Sequence, residues 1–210
     1  MKVSEVIQFA KTGELRQLPV AFVNETDTCY AENKDTLLGY INLGLIDIYK
    51  RFGLKKVTQL VSPVVNGTVL TMGDDYMYLY YACGNNEEQT EIPIQNEFAT
   101  FSVFENSPYE ISFVRDNSLN TEITAVNLTY IATPALLTDE DETVPLKYQF
   151  IECLLLYMAY KGHSSITASP DEDNNVYFQR YLGSINRIMR DGSQTPDNQS
   201  NYKLYSKGFR

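Results

Sequence analysis

Between residues 35 and 52 the apolar positions fall at Leu38, Ile41, Leu45, Ile48 and Phe52. Alternating three- and four-residue spacings put all five on one face of a helix. Asp35 or Asn33 can cap its start, Lys50 and Arg51 complement the dipole at its end, and Gly53 offers a left-handed stop. Gly39 and Gly44 inside it each cost about 1 kcal/mol relative to alanine, which points to close approach by a neighbouring backbone. Before this helix, Val3, Val6, Ile7 and Ala10 share one side of a short amphipathic helix over Val3 to Lys11. Gly13 and Pro19 end it, and Leu18 to Tyr30 reads as an extended linker.

From Lys55 to about Leu137 the period changes to two. The runs "TVLTM", "YMYLYYA", "FATFSVF", "YEISFV" and "EITAVNLTYIA" read as strands, separated by the turn signals "NG", "GDD", "CGNNEE" and "RDNS". In the last run Val126, Leu128 and Tyr130 point one way, and Ala125, Asn127 and Thr129 the other, as a half-buried sheet face requires. Short strands at this spacing predict a small antiparallel sandwich or barrel.

Helical patterning returns after the acidic turn Asp139 to Glu142. Pro145 suits a first turn, and Leu146 to Lys161 is apolar nearly all round, so this helix is packed on several sides. Ser169 with Glu172 fits a capping box for a final helix that Pro170 opens. Tyr177, Tyr181, Ile185 and Ile188 form its apolar face, and Gly192 ends it. The predicted class is therefore α+β. Residues 1–54 and 139–192 build a helical hairpin or bundle, residues 55–138 an inserted β-sandwich or barrel-like module, and residues 193–210 an extended C-terminal arm.

Of the 210 residues 43% are apolar and 21% charged, a folding composition. The net charge of −10 opposes general affinity for nucleic acid or anionic membranes. The start of the chain lacks the apolar run of a signal peptide, and no stretch approaches bilayer length. Three cysteines, Cys29, Cys83 and Cys153, have no metal-like spacing and suit reduced thiols in a cytoplasm. The sequons at Asn24, Asn66, Asn127 and Asn198 read as chance matches in that setting.

Chemistry is sparse. His163, the single histidine, precedes Ser164 and follows Cys153 by ten positions. Neighbours at a helix end diverge, and Cys153 lies nearly three turns back, so His163 reads as a complement to the helix dipole and not as a base. The acids at Asp74, at Asp139 to Glu142 and at Asp171 to Asp173 lack the ligand offsets and turn glycine of a calcium loop. No phosphate loop, dinucleotide fingerprint or zinc pattern is present. The expectation is a protein that is not an enzyme and uses no cofactor or metal. Tyr76, Tyr78, Tyr80 and Tyr81 suit the wetter side of a sheet or a ligand face. In the tail, Tyr202, Leu204, Tyr205 and Phe209 interleave with Lys203, Lys207 and Arg210. Exposed tails normally avoid such a density of large apolar groups, so this one packs on its own domain or docks on another protein.

Three segments together carry a resemblance. They are "DTLLGYINLGLIDIYKRFGL", "AVNLTYIATPALLTDEDETVPLKYQFIECLLLYMAYKG" and "DEDNNVYFQRYLGSINRIMRDG". Their succession over most of residues 32 to 192 resembles the head-to-tail adaptor (connector) proteins of tailed bacteriophages, of the type with a β-module between its helices. The resemblance rests on segment order and a loose Tyr-x-Ala-x-Pro-like phrase. It implies a structural virion protein of the neck, assembled in the host cytoplasm. Such proteins form a ring, commonly of twelve subunits, beneath the portal protein. They extend the DNA channel without specific binding and carry tail or nozzle proteins. It also implies an arm, here Tyr202, Lys203, Leu204, Tyr205, Lys207, Phe209 and Arg210, that docks on the portal. Gly39, Gly44, Tyr177 and Tyr181 are the positions expected at subunit contacts. The alternatives are another tail or completion protein, and a cytoplasmic ligand-binding module using the tyrosine-rich sheet.

Overall fold

The structure is a computed structural model that describes residues 1–16, 18, 30–87, 89–115, 123–164 and 175–191. It is α+β and divides into two compact units. One comprises Met1–Ile48 and Ala135–Arg210, the other Tyr49–Pro134. The boundaries expected from the sequence lie a few residues further on, at 54/55 and 138/139. The last turn of the long helix belongs with the strands because the Tyr78 hydroxyl donates to the Lys50 carbonyl. The expected arm, residues 193–210, lies outside the described residues.

In the helical unit the described helices are α1 (Val3–Thr12), α2 (Tyr30–Phe52), α3 (Ile151–Ser164) and α4 (Val176–Asp191), α2 ending in the other unit. The predicted stripes are buried: Val3, Val6, Ile7 and Ala10 on α1, and Leu38, Ile41, Leu45, Ile48 and Phe52 on α2. Gly53 adopts φ +56°, the left-handed stop its lack of a Cβ allows. Three starts differ from expectation. α2 begins at Tyr30, so neither Asn33 nor Asp35 caps it, and residues 19–29 of the expected linker lie outside the described residues. A turn of 3-10 helix (Tyr148–Phe150) precedes α3, leaving Pro145 outside the helix. α4 begins at Val176, where the Asn175 side-chain oxygen accepts the N–H groups of Tyr177 and Phe178 at 3.0 and 3.2 Å. Asn175 is thus its cap, and Ser169, Pro170 and Glu172 lie outside the described residues. α3 is buried on most sides, from Ile151 and Cys153 through Leu154, Tyr157 and Met158 to Gly162.

The start of the chain is tied to the acidic turn. Val3 and Ser4 N–H donate to the carbonyls of Glu142 and Glu140, and Val144 N–H to that of Met1. Glu142 in turn accepts from Thr138 N–H, Thr138 Oγ1 and Asp139 N–H at 2.8–2.9 Å.

The second unit holds two three-stranded antiparallel sheets, ordered β1-β6-β3 and β2-β5-β4. The strands are β1 (Lys56–Val61), β2 (Val69–Thr71), β3 (Tyr76–Gly84), β4 (Phe101–Ser107), β5 (Glu110–Arg115) and β6 (Val126–Ala132). Both sheets contribute to one core, with Leu79, Ala82, Val126, Leu128 and Tyr130 from one and Phe101, Val103, Ile111 and Phe113 from the other. Along one side the segment at 91–95 joins them. Ile92 N–H donates to the Ala82 carbonyl on β3, while Val103 N–H on β4 donates to that of Pro93. The module is thus two antiparallel sheets bridged along one edge by 91–95, with β1 and β2 at the other edges.

Candidate functional site

The tyrosine-rich strand does not form one aromatic face. Irregularities in the β3–β6 register, between Tyr76 and Tyr78 and again between Leu79 and Tyr81, shift the phase of alternation. Tyr76 consequently enters the core, Tyr78 is half-buried, and Tyr80 is exposed with the Lys56 ammonium 4.0 Å from its ring centroid.

A cleft lies beside this shifted strand. Tyr76, Met77 and Tyr78 at the start of β3 line a cleft of about 330 Å³ with Glu105 and Ser107 of β4 and Pro108 and Tyr109 of the β4–β5 turn. Its rim is fixed by main-chain bonds: Met72 N–H donates to the Tyr109 carbonyl at 2.8 Å, and Tyr76 N–H to that of Gly73 at 3.0 Å. Glu105 links the two sheets across the cleft. Its Oε1 accepts the Leu79 N–H at 3.0 Å and the Tyr76 hydroxyl. Burial, reinforced by this carboxylate, pushes the Tyr76 phenol far above its ordinary value, so it stays a hydrogen-bond donor. Nearby, the Tyr130 hydroxyl lies 3.4 Å from Asp75, and desolvation and then the Asp75 charge raise its pKa too.

In the helical unit the sequence candidates are placed as follows. His163, in the last turn of α3, has Nε2 3.1 Å from the Glu14 carbonyl and stacks on Tyr177 at 4.3 Å between centroids. Ser164 Oγ donates to the Lys161 carbonyl. Cys153 is buried with Sγ 3.1 Å from Ser184 Oγ, and desolvation pushes its thiol upward, away from the reactive thiolate. Cys83 is also a buried free thiol, whereas Cys29 lies outside the described residues. Among the described residues no three His, Cys, Asp or Glu side chains converge as a metal set. No described helix is long and apolar enough to cross a membrane.

Two of the four positions expected at subunit contacts pack inside the chain. A Cβ on Gly44 would meet Leu154 Cδ1 at 2.7 Å and Tyr157 Cδ1 at 3.0 Å, so its close approach is between α2 and α3. Tyr181 is fully buried and donates to Asp47. Gly39 has nothing within 4 Å of a Cβ built on it, and Tyr177 is half-buried against His163. The arm residues Tyr202, Lys203, Leu204, Tyr205, Lys207, Phe209 and Arg210 lie outside the described residues. So do Asp171 to Asp173.

No protein-family model matches the chain, and no curated protein sequence matches it.

Sequence reasoning missed Glu105. A single acid inside "FSVFENS" was the available signal, but its partners sit on β3, a strand that does not pair with β4.

Proposed function

We propose that this protein is a structural component of a tailed-phage neck, a head-to-tail adaptor whose ring docks beneath the portal and carries tail proteins. The observation that supports the reading most is the insertion of a β-module, Tyr49–Pro134, between two chain segments that together form one helical unit. That is the arrangement which the adaptor resemblance implies. The net charge of −10 suits the wall of a DNA channel, since repulsion lets a duplex slide instead of adhering. Beyond α4 the chain continues through residues 192–210, which at ~3.3 Å per residue reach about 60 Å if extended, enough to meet a neighbouring subunit or a portal.

Native mass spectrometry of the purified protein tests this, alone and mixed with the portal ring of the same virus. A discrete ring, or a ring-on-ring complex that a variant lacking residues 193–210 fails to form, is the expected result. A chain that stays monomeric with the portal present would overturn the adaptor role. Portal docking unaffected by the deletion would remove the role given to the arm.

A further inference from the structure

We propose that the cleft at Glu105 receives a lysine or arginine side chain presented by a partner protein. Among the described residues Glu105 is the single charged one lining it. Among the described residues its carboxylate accepts from the Leu79 N–H and the Tyr76 hydroxyl, and both bonds end on Oε1. A carboxylate offers about four acceptor positions, so these two bonds leave acceptor capacity for a ligand's donor. Those two donors also fix the carboxylate in place, and its orientation is set before anything binds.

The remaining lining selects a cation with an apolar stem. Tyr78 and Tyr109 line the cleft with the acid, and a cation over a tyrosine face is attracted by the ring quadrupole. Met77 and Pro108 offer apolar surface to a methylene chain, the amphipathic character of lysine and arginine. An anion meets the Glu105 charge, and a neutral apolar group covers that charge without adding a donor to it. Asp74, Asp75 and Glu110 flank the lining segments in sequence and add to the local negative field, with Lys55 set 3.8 Å from Asp75 in opposition. A protein source fits better than a free amine. Tyr109 is half exposed at a turn where a partner surface can cover it, and one pocketed cation serves best as the anchor of a wider interface.

The test is a nitrogen-15 NMR titration of the full chain with ten-residue Gly/Ser peptides carrying one central Arg, Lys or Gln. Nα-acetyl-lysine amide and putrescine serve as small-amine probes. Expected are saturable shifts at the amides of Tyr76–Leu79 and Glu105–Tyr109 with the Arg or Lys peptide. The Gln peptide should leave them unmoved. Glu105→Gln should weaken binding about tenfold. Tyr109→Ala, at an exposed turn position, should also weaken it and keeps the test valid should Glu105→Gln disturb the fold. Shifts of equal size with the Gln peptide, no saturable shift at all, or affinity unchanged in both variants would overturn the proposal. Tighter binding of putrescine than of the peptides would also overturn it, by making the ligand a small amine. No portal or ring enters this experiment, so its outcome is independent of the adaptor reading.

Discussion

The Tyr181 hydroxyl on α4 donates to the Asp47 carboxylate on α2, 134 positions apart in sequence. Tyr181 is completely buried, and its ring meets that of Tyr157 edge-on at 5.4 Å, so one side chain joins three helices. Removing only the hydroxyl leaves the packing and deletes a charge-assisted bond. Tyr181→Phe should therefore lower unfolding free energy by about 1.5–3 kcal/mol, and Tyr181→Ala by about 3–5 kcal/mol through the added cavity. Urea denaturation followed by circular dichroism measures both. A Tyr181→Phe variant as stable as the parent would mean that the bond contributes nothing.

Gly44 and Gly39 lie five positions apart on α2 and should respond with opposite signs. A methyl at Gly44 collides with Leu154 and Tyr157, and overpacking of this kind costs about 1–3 kcal/mol. At Gly39 a methyl meets no atom within 4 Å, so alanine gains helix propensity of about 0.5–1 kcal/mol. Thermal melts should show Gly44→Ala below the parent and Gly39→Ala above it. Under the adaptor proposal, a Gly39→Ala chain that is stabilised yet assembles poorly would place a subunit contact at that glycine.

The contrast between these glycines shows what was legible in the sequence. Both signalled a helix defect, but only the fold reveals which one faces α3. Patterns within one element were readable: the buried stripe from Leu38 to Phe52, the stop at Gly53, and the alternation of Val126, Leu128 and Tyr130. Choices between competing local signals were not. Ser169, Pro170 and Glu172 form a good capping box on paper, yet Asn175 caps the helix with its side-chain oxygen. The Glu105 cleft was hidden for a different reason. It depends on bulges in β3 that move Tyr76 and Tyr78 out of simple alternation, and on the meeting of β3 and β4 through side chains and not through the ladder. No period in a single sequence encodes either.

At alkaline pH the buried tyrosines make stability pH-dependent, and Tyr76 is the most perturbed. Its folded pKa is raised by desolvation first and by the bond to Glu105 second. The unfolded chain therefore loses this proton first, near the ordinary value of 10.0. Stability from the neutral phenol is fully present below that pH and declines above it. Each such group adds a slope of about 1.4 kcal/mol per pH unit, with Tyr130 contributing in the same direction. Urea titrations at pH values on either side of 10 should show the decline, and Tyr76→Phe should make it shallower. A variant with the parent's slope would contradict the assignment to Tyr76.

On the acid side the sensitive point is Glu142. Its carboxylate accepts the Thr138 N–H, the Thr138 hydroxyl and the Asp139 N–H, and these bonds, the first of them largest, hold its pKa below the ordinary 4.5. A lowered folded pKa contributes stability that is present above the ordinary value and lost as pH falls through the folded one. The turn held by Glu142 also supplies the carbonyls that accept from Val3 and Ser4 N–H. Acidification should thus loosen the start of α1 before the core gives way. Hydrogen-exchange protection of the Val3 and Ser4 amides, corrected for intrinsic rate, should drop as pH falls below the ordinary carboxyl value of 4.5. In Glu142→Gln the amide oxygen keeps weaker bonds that do not titrate, so protection should start lower and change less with pH. Equal pH dependence in parent and variant would show that another acid governs the N-terminal attachment.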